Sequence, residues 1–364
     1  MDPIEDVKPE KENEVLLNIR QKNRDDLHNV QHNKRLSAVD RQRCGLTEIV
    51  ANIQEHELLT EKDVAGLSSR IKRRKSATPT DLKRLSAAFL HDPANIEAFS
   101  KIPGALNVVV KELSGNEIEN QVLAAEVLCN LALGEDVCSK KIAQAAGSYL
   151  ILYLDCVSNK LLVETSLWVI QNLLLSGEKT RKVLIAQGLP EKLVTLMETK
   201  DDDLRNLSEE TFAMLVVEAF KDLPEEFLSK ILPILVKILH HNSSGVFFAV
   251  YSTLMELNFV TDFGLLSSIV QFSTEILIQD TSSNCLMALR IIANALEVTN
   301  GNEILVNLVS ETISRQNSSL ANIVNNIISV DSEKLSQELF WFLSVLNKYS
   351  NLDLSQLKIP IKYL

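Results

Sequence analysis

From about residue 80 onward the apolar residues of this chain recur at intervals of three and four, the spacing that gathers them on one face of an α-helix. The pattern is punctuated at a fixed distance. Gly104, Gly147 and Gly188 lie 43 and 41 residues apart, and an apolar helical run follows each: Ala-Leu-Asn-Val-Val-Val, Ser-Tyr-Leu-Ile-Leu-Tyr-Leu and Leu-Pro-Glu-Lys-Leu-Val-Thr-Leu-Met. Gly134 and Gly177, again 43 apart, close the longest helix of their units, and Asn130 and Asn172 lie 42 apart inside those helices. Two landmarks with one period predict a repeated unit. A short helix ends at a glycine able to take positive φ, the chain turns, and a second and a longer third helix pack behind it. No such unit buries its apolar stripe alone, so neighbours stack on a shared core.

Beyond residue 200 the glycines thin out while the periodicity continues. Residues 224–240, 245–260, 265–278, 284–298, 303–313 and 333–348 all read as helices with apolar faces, giving five or six units with the last ones degenerate. Ahead of residue 80 the pattern weakens. Residues 20–43 are rich in Lys and Arg with little to bury, and cannot make a core alone. Residues 46–70 read as one or two short helices, with Thr60 and Asp63 as a capping signal. Arg70, Lys72, Arg73, Arg74 and Lys75 then lead into Ser76-Ala-Thr-Pro-Thr80, a helix-starting stretch that puts the start of the folded array near Thr80. The expected division is a basic head at 1–43, a linker with short helices and a Lys/Arg cluster at 44–79, the repeats at 80–350 and a tail at 351–364.

Composition agrees with helices. Apolar residues make up 46% and aromatics only 5%, with Leu, Ile, Val and Ala dominant, which favours an all-α chain over a sheet. The five cysteines, Cys44, Cys129, Cys138, Cys156 and Cys285, form no C-x-x-C and suggest neither a disulfide framework nor a zinc knuckle. Residues 1–14 are acidic and lack the basic and apolar run of a secretory leader, and no window approaches a membrane span. The expectation is therefore a soluble protein of the cytoplasm and nucleus, without a membrane partner.

Charge divides the chain. The formal net charge is −11, but residues 1–84 carry a net of +2 and the remainder −13. A body of that sign repels phosphates, so nucleic acid is not an expected partner. No phosphate-binding glycine loop, nucleophile elbow or H-E-x-x-H is present, and no cofactor or metal is implied. His28 and His32, spaced for one helical face, read as an exposed polar face, and His240-His241 as a helix C-terminus favoured by the dipole. Asp201-Asp202-Asp203 reads as the acidic start of the helix near Leu204. An enzyme is not expected.

In one of the third helices Trp168-Val-Ile-Gln-Asn172 resembles the W-x-x-x-N pair of armadillo repeats in their importin-α branch. Glu126-Val-Leu-Cys-Asn130 and Arg290-Ile-Ile-Ala-Asn294 keep the asparagine, and Trp341-Phe-Leu-Ser-Val345 keeps the tryptophan. In the head, Ile19-Arg20-Gln21-Lys22-Asn23-Arg24-Asp25-Asp26, followed by Lys34-Arg35, resembles an importin-β-binding segment. A basic head, a short array and an incomplete ladder together are similar to the transmembrane and coiled-coil domain-containing protein 6 group. The resemblance implies a right-handed α-solenoid of about five to six armadillo-type repeats, preceded by a basic, partly helical segment.

It also implies a function. An i, i+4 pair shares one helical face, where an asparagine amide can bond an extended peptide backbone and an indole can flank the stem of a lysine or arginine. Glu126, Asn130, Glu164, Trp168, Asn172 and Asn294 would line an acidic groove for basic peptides or protein cargo of the nuclear-localisation type. Arg20, Lys22, Arg24, Lys34 and Arg35 would contact an importin-β-like carrier. Lys72, Arg73, Arg74 and Lys75 have three readings: a nuclear-localisation signal, an internal pseudo-cargo occupying the groove, or a solvated linker. A plainer reading stands beside the groove, since a tryptophan in an apolar helix also serves as core and an asparagine also satisfies a neighbouring backbone group. The alternative function is an armadillo scaffold or chaperone cofactor outside nuclear transport.

Overall fold

The computed structural model describes residues 59–239, 244–279, 283–315, 320–330 and 332–350, and among them the ordered elements are helices. Helix α1 (Glu61–Arg74) opens on a complete capping box: Thr60 N donates to Asp63 Oδ2 at 2.9 Å, and Thr60 Oγ1 accepts from Asp63 N. Val64, Leu67 and Ile71 form its buried stripe, and Lys75 ends it in the left-handed region at φ 57°. Helix α2 (Pro79–His91) repeats the device with Thr78 and Asp81, and Pro79 supplies a φ suited to the first turn. The array therefore starts at Glu61 rather than near Thr80. Three apolar residues at helical spacing suffice to pack α1 onto the array, and the charges between them hide that stripe in the sequence.

The next unit has the expected three helices: α3 (Pro93–Ser100), α4 (Ala105–Leu113) and α5 (Ile118–Leu131), with Gly104 turning the chain at φ 87°. The following one differs. Helix α6 (Asp136–Tyr153) runs unbroken through Gly147, so its first and second helices are fused, and α7 (Lys160–Leu175) is the third. Gly147 is buried inside α6 and leaves room for the Gln187 side chain of the next unit, whose amide donates to Ala143 O at 3.2 Å. Its role is close packing, and the sharp turn expected there is absent. The turn returns at Gly188, φ 85°, between α8 (Glu178–Ala186) and α9 (Leu189–Leu196). Asp201 Oδ1 accepts from Leu204 N at 3.0 Å as α10 (Asp202–Ala219) begins.

The chain divides into two compact units between Leu204 and Arg205. In the first, the third helices α2, α5 and α7 pack side by side, with α1, α4 and α6 behind them. In the second, α11 (Glu225–Ile238), α12 (Ser244–Glu256), α13 (Phe263–Gln279) and α14 (Ser283–Val298) are followed by α15 (Glu303–Arg315), α16 (Leu320–Ser329) and α17 (Glu333–Tyr349). There α12, α14 and α17 form the matching layer. Helix α16 was not anticipated. Its three asparagines dilute the pattern, yet Ile323, Val324 and Ile327 make a compact buried stripe.

The head residues Arg20, Lys22, Arg24, Lys34 and Arg35, the histidines at 28, 32, 240 and 241, and the tail 351–364 lie outside the described residues.

Candidate functional site

Helix α7 carries the most informative surface. Lys160, Glu164, Trp168 and Asn172 follow one another at four-residue steps, each turning about 40° around the helix, so they form one slowly winding stripe. All four are partly exposed, while Val163, Leu167, Ile170 and Leu173 on the other side are fully buried. The stripe stitches its unit to both neighbours. At one end Asn172 Nδ2 donates to Cys129 O on α5 at 3.0 Å; at the other, the Lys160 ammonium lies 3.1 Å from Asp201 Oδ1, 3.9 Å from Glu164 Oε1 and in closer contact with Asp203. Trp168 stands between, half-buried. Asn172 Oδ1 has no hydrogen bond among the described residues and is left to accept.

The other asparagines are placed differently. Asn130, only 2% exposed, donates through Nδ2 to Ser86 O at 3.2 Å and Ser86 Oγ at 2.8 Å on α2. Asn172 and Asn130 thus reach back 43 and 44 residues to the preceding third helix, which is the repeat period written in hydrogen bonds. Asn294 is 4% exposed and donates to Arg290 O of its own helix at 2.8 Å. Arg290, at the position Trp168 holds in α7, is 1% exposed and pairs with Glu338 of α17. Asn130 and Asn294 therefore satisfy backbone groups in the interior, and a peptide lying on the surface would not meet them.

Two of the carboxylates are poised for a cation. Burial pushes the Glu126 carboxyl above its ordinary range and Lys83 offsets this only in part; Glu126 makes no hydrogen bond or ion pair among the described residues. Burial likewise raises Glu164, with Lys160 opposing and Asp203 and Asp201 adding to the rise. The face is not uniformly acidic. Lys83 on α2 sits 3.8 Å from Glu119, and hydrogen bonds to Asp203 and Asp201 push the Lys160 pKa up to about 12. Lys160 continues the four-residue step of Glu164, Trp168 and Asn172, but its role depends on Asp201 and Asp203, 41 and 43 residues away, and is not legible in the local pattern.

The Lys72–Lys75 run forms the last turn and cap of α1. Arg74 and Arg70 pair with Asp81, at 3.2 Å for Arg70, and Lys75 O accepts from Lys111 Nζ at 2.8 Å. Burial opposes charge on Asp81, yet hydrogen bonds from Thr78 and the Arg74 guanidinium hold it below the usual carboxylate range. The run is helical, and all four of its side chains are exposed. Among the described residues no group of side chains is arranged to hold a metal ion, and no helix is long and apolar enough to cross a membrane.

No protein-family model matches the chain, and no curated protein matches it either. Solved structures do. An engineered protein superposes with a TM-score of 0.58 at 18% identity, covering 79% of this chain and 69% of its own. A designed armadillo repeat protein matches with a TM-score of 0.47 at 17% identity over 66% of this chain and 100% of its own. Another, solved in complex with the peptide (KR)4, gives 0.44 at 18% over 66% and 99%. The class that the helices define is an α-solenoid of armadillo-like units, in which a third helix lies beside the third helix of the next repeat.

Proposed function

We propose that the third-helix face of the first unit binds an extended basic peptide, with Trp168 as its centre. The observation that carries this is one partly exposed indole on α7, with Glu164 one turn before it and Glu126 on the adjacent helix α5, two carboxylates that burial has made costly to ionise and that a ligand cation would relieve. Asn172 Oδ1 is available to accept from the peptide backbone, and Trp168 to flank an alkyl stem. A nuclear-import adaptor is the cellular role that fits the W-x-x-x-N pair and the Ile19 to Asp26 segment. Its partners would be nuclear-localisation-type cargo and an importin-β-like carrier, met in cytoplasm and nucleus. No catalytic step is assigned.

The experiment is a titration of the full chain with (KR)4, read by fluorescence anisotropy at two salt concentrations, against Trp168→Ala. Saturable binding that weakens with salt and with the substitution supports the reading; no saturable binding ends it. A second reading, a scaffold outside nuclear transport, is favoured by the burial of Asn130 and Asn294, which leaves a single complete recognition step. Crosslinking that recovers chaperones and no transport factors would select it.

A further inference from the structure

The two acidic positions of this face, Glu126 on α5 and Glu164 on α7, are not equivalent. Glu126 on α5 has no ion pair of its own among the described residues, whereas Glu164 shares the Lys160 ammonium with Asp201 and Asp203 from the start of the next repeat. One ammonium among three carboxylates is the arrangement a lysine from a bound peptide would meet. Lys160 reaches it from within the chain. Its side chain is 40% exposed and those of Asp201 and Asp203 are 37% and 76% exposed, so the cluster opens to solvent and the long stem can swing out without disturbing the core. Exposed ion pairs of this kind are individually weak and readily exchanged. Deprotonation will not vacate the place, because the two aspartates keep Lys160 charged to about pH 12.

We propose that Lys160 is a specificity determinant of the groove: it fills the cation position formed by Glu164, Asp201 and Asp203, and a basic ligand reaches that position only by displacing it. This rests on the peptide-groove reading. The wild-type face would then accept one cation freely, at Glu126 and Trp168, and discriminate against peptides that need a second cation two helical turns further along α7. A plain inter-repeat staple makes a different forecast, and the chain contains a matched example of one. Lys192 on α9 joins Asp155 at 2.7 and 2.8 Å, and neither residue belongs to the four-residue stripe of α7.

The test compares (KR)4 binding to wild type, Lys160→Met, Lys160→Gln and Lys192→Met, each checked for its melting temperature. The proposal expects Lys160→Met to tighten binding about tenfold, Lys160→Gln to give a smaller gain, and Lys192→Met to change affinity less than about twofold. Equal gains at Lys160 and Lys192 would mean bulk charge alone and would overturn it, as would an unchanged or weaker affinity in a folded Lys160→Met or Lys160→Gln protein. Peptide binding without a Lys160 effect removes this proposal and leaves the groove. Binding by none of the four removes both.

Discussion

The first and second units use the same position of a third helix in opposite ways. On α7 the pair is Trp168 and Asn172, partly exposed, with the asparagine laced to the preceding repeat. On α14 the pair is Arg290 and Asn294, 1% and 4% exposed, with the arginine ion-paired to Glu338 and the asparagine turned back on its own helix. Burial works against the Arg290 charge, but Glu338 and Tyr251 outweigh it and hold the guanidinium protonated. One slot is surface and the other is core. Spacing alone does not make a binding face; the helices packed against the slot decide whether it opens outward or closes.

The sharpest way to break this comparison is to remove Arg290. Arg290→Met leaves the half-buried Glu338 without its cation and removes a buried ion pair, which should cost about 3 kcal/mol in chemical denaturation, and replacing Glu338 by Leu as well should recover much of it. A loss below about 1 kcal/mol would show that the pair is not part of the core. Trp168→Ala should reduce (KR)4 affinity about 30-fold, near 2 kcal/mol, whereas Trp341→Ala, in the second unit, should leave it within about twofold.

The asparagines provide a finer cut. Asn130→Ala orphans buried Ser86 groups and should destabilise by about 1–2 kcal/mol with no effect on the peptide. Asn172→Ala should cost about 1 kcal/mol or less in stability but also weaken peptide binding. Thermal melts and anisotropy on both variants separate the two outcomes.

The smallest expected effect is on pH. Glu126 and Glu164 have folded-state pKa values above their ordinary range, and a cationic ligand favours their ionised forms, so binding expels protons. Affinity should therefore rise a few-fold, roughly, as pH climbs through that raised range, and Glu126→Gln should flatten the profile. Asp81 is shifted in the opposite direction, and the quantity it governs is stability. Held below its ordinary value, it contributes stability that is complete above the usual carboxylate range and lost as pH falls through its lowered native value. Asp81→Asn should blunt that acid-side loss.

The helical architecture was readable because its causes are local. Apolar spacing, glycines and capping residues fix where helices run, and Thr78 with Pro79 and Asp81 marks a start that needs no distant partner. The readings that changed depend on contacts between repeats. Gly147 resembles a turn glycine until Gln187 from the next unit is seen to need its missing side chain. Asn130 and Asn294 resemble Asn172 in sequence, but their exposure is set by helices tens of residues away. The site was legible in its centre, Trp168 and Asn172, and not at its edge, because Lys160 acquires a role only when Asp201 and Asp203 are folded beside it.

The central claim, that the Trp168 face takes a basic peptide, is tested most directly by the emission of that indole. The chain has two tryptophans, so Trp341→Phe leaves Trp168 as the sole reporter. Titrated with (KR)4, that protein should show a saturable change in tryptophan emission that shrinks as salt rises. Emission that stays unchanged through a titration in which the peptide demonstrably binds would place the ligand elsewhere and contradict the account.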